Sequence, residues 1–151
     1  MALSRPGAVL FACNQNRVRS PMAQGLMQRL FGGQIYVDSC GADHHKDPAP
    51  DPFVVAVMDE LGLDLSGHRP KRFEDLEDSS FDLVISLTPK AHHLAVELTR
   101  RQAVEAEYWP TLDPTLTEGS REIMLQAYRD VRDALEARIR ARFSTARTFG
   151  G

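Results

Sequence analysis

The chain has 151 residues, 42% of them hydrophobic and 26% charged, with a formal net charge of -3 at pH 7. That balance suits one globular domain over residues 1–151 and gives no signature of disorder, while the acidic net charge offers no basic face for nucleic acid. No run approaches the roughly 18 to 20 apolar residues of a membrane span, and no signal-peptide core opens the chain, so no membrane partner and a cytoplasmic location are expected.

Taken in order, Ala8 to Ala12 is a short continuous apolar run after Pro6-Gly7, as a strand covered on both faces would be. From Ser20, the residues Met22, Ala23, Leu26, Met27, Leu30 and Phe31 recur at helical spacing, with Pro21 suited to the first turn and Gly32-Gly33 to the stop. Ile35-Tyr36-Val37 reads as a second strand ending at Asp38-Ser39-Cys40-Gly41, before a Pro- and Asp-rich loop. A helix from Pro52 to about Leu61 stops at Gly62. Phe81 to Leu87 is a third strand, Pro89 to about Val104 a third helix, and Ala106 to Trp109 a short strand. The final helix runs from about Ser120 to Phe143, with Ile123, Met124, Ala127, Tyr128, Val131, Leu135, Ile139 and Phe143 in period. Strands alternating with helices imply a parallel sheet wrapped on both faces, with ligands bound beyond the carboxyl ends of the strands.

The loop from Cys13 to Ser20 lies at such an end. A strand-to-helix loop gathers unpaired backbone N–H groups where the helix dipole also favours an anion, so a tetrahedral oxyanion fits. The phosphate-binding set is therefore read as Asn14, Gln15, Asn16, Arg17, Val18, Arg19 and Ser20. The same field would hold Cys13 as a thiolate nucleophile. Arg19 can return over the cradle and grip two oxygens with its planar fork. A Cys-x5-Arg spacing alone arises by chance in roughly one such chain in five, but a following Ser and a strand-to-helix setting make chance a poor explanation.

The run Val9 to Ala23, with Cys13-Asn14-Gln15-Asn16-Arg17-Val18-Arg19-Ser20 at its centre, resembles the signature of low-molecular-weight protein tyrosine phosphatases, a superfamily shared with thiol-coupled arsenate reductases. Asp38-Ser39, Leu65-Ser66-Gly67-His68-Arg69, Phe81-Asp82 and Asp113-Pro114 extend the likeness along the chain. The resemblance implies a three-layer α/β/α fold of the phosphotyrosine protein phosphatase I type, with a four-stranded parallel sheet in the order 2-1-3-4. It implies Cys13 as nucleophile, Arg19 as oxyanion clamp and Asp113 as general acid, with no metal or organic cofactor. Ser20 would stabilise the thiolate, and Asn16, Ser39 and His68 would hold the loop in shape, Asn16 through a strained backbone. The expected partner is a phosphorylated substrate, phosphotyrosine among the candidates, or an inorganic oxyanion. Phosphomonoester hydrolysis is the first reading, arsenate reduction with a small external thiol the second, and a catalytically idle oxyanion or phosphoprotein binder the third.

Several residues depart from that pattern or compete for a role. Val18 stands where many relatives carry a second cysteine. Cys40 is either its redox substitute or a small buried thiol, and the buried thiol is the better reading. Thr115-Leu116-Thr117 replace the tyrosines that phosphotyrosine-specific members carry after the acid, and Thr88 replaces a frequent aspartate. His44-His45 and His92-His93 lack metal-site spacing and read as surface residues, although His44 falls where relatives place an aromatic wall. Arg17 reads equally well as a solvated charge or as part of the positive mouth. Arg129, Arg132, Arg138, Arg140 and Arg142, interleaved with Asp130, Asp133 and Glu136, read as a mixed-charge solvent face.

Overall fold

A computed structural model describes residues 5–44, 47–77 and 80–148, with the side chains of 145–148 left aside. In chain order the elements are β1 (Ala8–Cys13), α1 (Arg19–Phe31), β2 (Tyr36–Gly41), α2 (Pro52–Asp59), β3 (Leu83–Ser86), α3 (Pro89–Thr99), β4 (Glu105–Tyr108) and α4 (Arg121–Thr148). The sheet is parallel in the order β2-β1-β3-β4, as expected. β1 is central, which is why its residues from Val9 to Cys13 are buried on both faces.

Period-two alternation divides that burial between two cores. Val9, Phe11 and Cys13 face the larger one, where α1, α2 and α4 contribute Met22, Leu26, Met58, Leu135, Ile139 and Phe143. Leu10 and Ala12 face a smaller one with Cys40, Phe81, Val84, Ala91 and Ala95. Each fully buried large side chain contributes about 1.5–3 kcal/mol of hydrophobic stabilisation, so these two layers hold the sheet flat between helices.

Helix starts follow local chemistry. Asp51 caps α2 by accepting from the amides of Phe53 (2.8 Å) and Val54 (3.3 Å), and Thr88 caps α3 by accepting from Ala91 at 3.2 Å. α1 is the exception: its N-cap is Val18, which makes no side-chain cap bond.

Boundaries differ where tertiary pairing outranks pattern. α3 ends at Thr99, short of Val104, because the chain must reverse there to deliver β4 alongside β3. β2 continues through polar Asp38 and Ser39 to Gly41, because that stretch pairs in register with Leu10 to Cys13 of β1. α4 runs on past Phe143, since an established helix propagates through polar residues without an apolar period. Ile123 is 55% exposed and Leu125 takes its buried place.

The α4 arginines do not form a simple solvent face. Arg132 is buried and donates to the Val57 carbonyl (2.7 Å) and to Glu60 (2.8 Å), while Arg129 grips the same Glu60 from 2.9 Å. These hydrogen bonds pull the Glu60 carboxyl below its usual range. Arg142 pairs with Glu107 of β4 at 2.7 Å, and Arg138 lies over the Trp109 ring at 4.9 Å. Only Arg140, paired with Glu136 one turn away, behaves as a surface ion pair. Among the described residues no helix is long and apolar enough to cross a membrane.

Candidate active site

Strand order reverses at β1, which lies between β2 and β3: α1 leads from β1 to β2 on one face of the sheet, and α3 leads from β3 to β4 on the other. The crevice this leaves lies beyond the carboxyl end of β1, and Cys13 is the last residue of that strand. Cys13 is 2% exposed, yet it lines a pocket of about 190 Å³ together with Asn14, Arg17, Arg19, Asp43 and Asp113.

The loop between Cys13 and α1 is held from below by β2. Ala42 donates to the Cys13 carbonyl at 2.9 Å and Asp43 to the Asn14 carbonyl at 2.7 Å. Gly41 makes this approach possible, because a Cβ there would sit 2.7 Å from the Asn16 nitrogen and 2.9 Å from the Asn14 oxygen.

Asn16 is the hub. Its φ of 55° lies in the left-handed region, the sole such non-glycine value among the described residues, and asparagine is one of the side chains that tolerates it. The buried amide donates to Ser20 Oγ (2.8 Å) and Ser39 Oγ (2.9 Å) and accepts from the Lys71 amide at 3.0 Å. Ser39 in turn donates to Gln24 Oε1. His68 Nε2 sits 2.8 Å from the Asn16 carbonyl, which only accepts, so the neutral ring carries its proton on Nε2. Burial outweighs that hydrogen bond and holds the His68 pKa below 6.5.

Ser20, in the first turn of α1, approaches Cys13 Sγ to 3.0 Å while its hydroxyl also reaches the Cys40 carbonyl at 3.3 Å. With Asn16 already donating to Ser20 Oγ, the one hydroxyl proton chooses between sulfur and carbonyl; a thiolate attracts it. Among the described residues, no protein group accepts from the backbone amides of residues 14–20. Those amides and the uncapped start of α1 together form a donor-rich concavity.

Arg19 crosses the mouth. Its Nη1 donates to the Thr111 carbonyl at 2.9 Å and its Nη2 lies 3.8 Å from Asp113 Oδ2, so it links the loop to the segment after β4. Asp113 begins a single 3-10 turn, Pro114–Leu116, and accepts from the Thr115 amide (3.0 Å) and hydroxyl (2.7 Å). Arg17 turns to the 47–51 segment, donating from Nε to the Ala49 carbonyl at 2.9 Å and meeting Asp47 at 3.4 Å. It lines the pocket without being free in solvent. Val18 is 8% exposed and packs into the larger core.

Cys40 pairs in register with Ala12, so its side chain leaves the opposite face of the sheet from Cys13 and packs with Leu10, Ala12 and Phe81. Burial, reinforced by the nearby Cys13 and Asp38, drives its thiol far above the usual range. It is a buried thiol on the face of the sheet away from Cys13. His92, read as a surface residue, is half-buried and stacks on Tyr108 at 4.7 Å between ring centres, because α3 presents it to β4. His93 and His44 are exposed; His45 lies outside the described residues. Among the described residues no His, Cys, Asp and Glu cluster suits a metal.

Lys71, Gln24, Gly41 and Thr111 were not legible as site residues. Lys71 and Thr111 act through main-chain atoms, which carry no sequence signal, and Gln24 looks like any polar helix residue. Gly41 left a trace, a glycine closing a strand beside the loop.

The fold and this site define a three-layer α/β protein with a cysteine-headed loop at the reversal of strand order. Residues 8–147 match the family described as low molecular weight phosphotyrosine protein phosphatase, and the chain belongs to that family. The glutaredoxin arsenate reductase of Synechocystis sp. is 32% identical over 87% of this chain and 92% of its own length. An arsenate reductase solved in the phosphate-binding state is 27% identical, with a TM-score of 0.69 over 92% of this chain and 98% of the other. A low molecular weight protein tyrosine phosphatase from T. tengcongensis is 25% identical, with a TM-score of 0.71 over 87% and 94%.

Proposed function

We propose that this protein hydrolyses phosphomonoesters through a phosphocysteine intermediate. The observation that carries the reading is that Cys13 Sγ, 3.0 Å from the Ser20 hydroxyl, shares one pocket with Arg19 and Asp113. In the first step the Cys13 thiolate attacks phosphorus, the ester P–O bond breaks, and Asp113 gives its proton to the leaving oxygen. The amides of residues 14–20 and the Arg19 fork hold the equatorial oxygens as charge shifts onto them. In the second step Asp113, now a carboxylate, takes a proton from water, which attacks phosphorus and returns the sulfur as thiolate stabilised by Ser20. Asn16, Ser39 and His68 keep the loop in its binding shape. Among the described residues no aromatic side chain lines the pocket, which favours small phosphomonoesters over a phosphotyrosine-specific enzyme.

A second reading, arsenate reduction with an external thiol, is supported by the likeness to the glutaredoxin arsenate reductase of Synechocystis sp.; Cys40 faces away from Cys13, so the second thiol would come from outside the chain. Cys13 would add to arsenate with loss of water. An external thiol would then attack the sulfur, release arsenite and leave a mixed disulfide, which a second thiol reduces. Aryl phosphate hydrolysis and glutathione-dependent arsenate reduction measured side by side separate the readings. Phosphatase chemistry predicts turnover without thiol and a trace of phosphate on Cys13 after rapid quench, released by mild acid as expected of an S–P bond. A Cys13→Ser variant that hydrolyses at the full rate would refute it.

A further inference from the structure

A second concavity lies behind the Asp113 segment, away from Cys13. It is a groove of about 570 Å³ between residues 109–117 and one face of α4, within the size range of small-molecule sites. Its floor is apolar, with buried Val131 and Leu135, and it stays open because α4 presents the small side chains Ala127 and Ala134 there. Its outer wall carries Leu112 and Leu116, 84% and 77% exposed, an unusual state for two leucines so close in the chain.

Charge distinguishes the two ends. Asp130 and Arg138 both line the groove, separated along α4 by about 12 Å at 1.5 Å per residue, and Asp113 lines it from the 109–117 side with Arg19 3.8 Å from its carboxylate. Arg129, Arg132, Arg140 and Arg142 each meet a carboxylate. Among the described residues no carboxylate meets Arg138, whose guanidinium covers the face of Trp109 and keeps its edge donors unpaired. Asp130, at the other end, already accepts from Gln126 at 2.8 Å. One end of an apolar trough therefore offers an unneutralised cation and the other repels anions.

We infer that this groove binds an amphiphilic organic anion, a medium-chain carboxylate of about eight to ten carbons, with its head at Arg138 and its chain along Val131 towards Leu116. The charge asymmetry sets the polarity, and the spacing of Asp130 from Arg138 sets the length. Such a ligand touches the Asp113 segment from the side opposite the oxyanion loop. The inference stands whether or not the phosphatase reading holds.

Trp109 is the sole tryptophan and lines the groove, so its fluorescence reports occupancy. The intact protein is titrated with decanoate below its micelle concentration, with calorimetry as a second readout. Saturable one-site binding is expected, weakened about tenfold or more in Arg138→Gln and for decyltrimethylammonium, and lost in Ala134→Phe, which fills the trough. Cys13→Ser should bind decanoate as the parent does, and saturating phosphate should not displace it. The proposal is overturned by equal binding of the cationic and anionic amphiphiles, by unaltered binding in Ala134→Phe, or by displacement with phosphate. It is equally overturned if decanoate does not saturate, including the case where a phosphopeptide with apolar flanking residues does.

Discussion

The two sides of the Cys13 pocket are held in contrasting ways. On one side the loop from Asn14 to Ser20 is held at several points: both Asn16 amide hydrogens and its oxygen are bonded, β2 supports the loop from below, and Arg17 ties it to residues 47–51. On the other, Asp113 sits in a segment whose leucines face solvent, whose acid bonds mainly to its own neighbour Thr115, and which reaches the loop through Arg19. A donor cradle gains from having its geometry set before the anion arrives, because preorganised dipoles need no rearrangement as charge develops. A proton donor must meet leaving groups of different reach, so a lightly tethered carboxylate suits it.

Tests that break one side should therefore leave the other intact. The largest effect is expected for Asp113→Asn with an alkyl phosphate, where kcat should fall about 10²–10⁴-fold, while a nitrophenyl ester, whose leaving group needs no proton, should lose far less. Equal losses on both esters, in steady-state assays, would remove Asp113 from the acid role. Arg19→Lys keeps the charge but removes the fork and the link to Thr111, and should cost about 10²–10³-fold on both esters alike. Asn16→Ala should lower stability in urea titrations by about 1–3 kcal/mol for each buried partner it leaves unpaired, and weaken phosphate binding with it. If Asn16→Ala binds phosphate as tightly as the parent, the loop does not depend on its hub.

The smallest effect is in pH dependence. The folded state holds His68 below its ordinary value of 6.5, chiefly by burial, so between those two values the unfolded chain binds more protons than the folded one. Stability should consequently rise with pH through that window, being complete above about 6.5 and falling as the medium becomes more acidic. Urea midpoints from pH 5.5 to 7.5 should show this slope, and His68→Asn should flatten it. An unchanged slope in that variant assigns the dependence to other groups.

Much of this architecture can be read locally. The apolar run before Cys13, the helical spacing after Ser20 and the alternation of strands and helices place the loop at a sheet edge, because burial on both faces and helical periodicity are properties of neighbouring residues. Reading Arg132 was harder. In the chain it is one charge in a polar stretch, and its partners, the Val57 carbonyl and Glu60, lie in α2 and at its C-terminal cap. His92 erred for the same reason, since Tyr108 reaches it only when α3 packs on β4.

What the amino-acid order determined by itself is the cysteine-headed loop and the helix that follows, since a strand, a short polar run and a helix start need no distant partner to be recognised. The tertiary structure alone decided that Cys40 leaves the opposite face from Cys13, that Gly41 lets the loop pass over β2, and that Arg17 is anchored instead of solvated. These depend on register and on main-chain approach between segments far apart in the chain, and neither is encoded in the identity of any one residue.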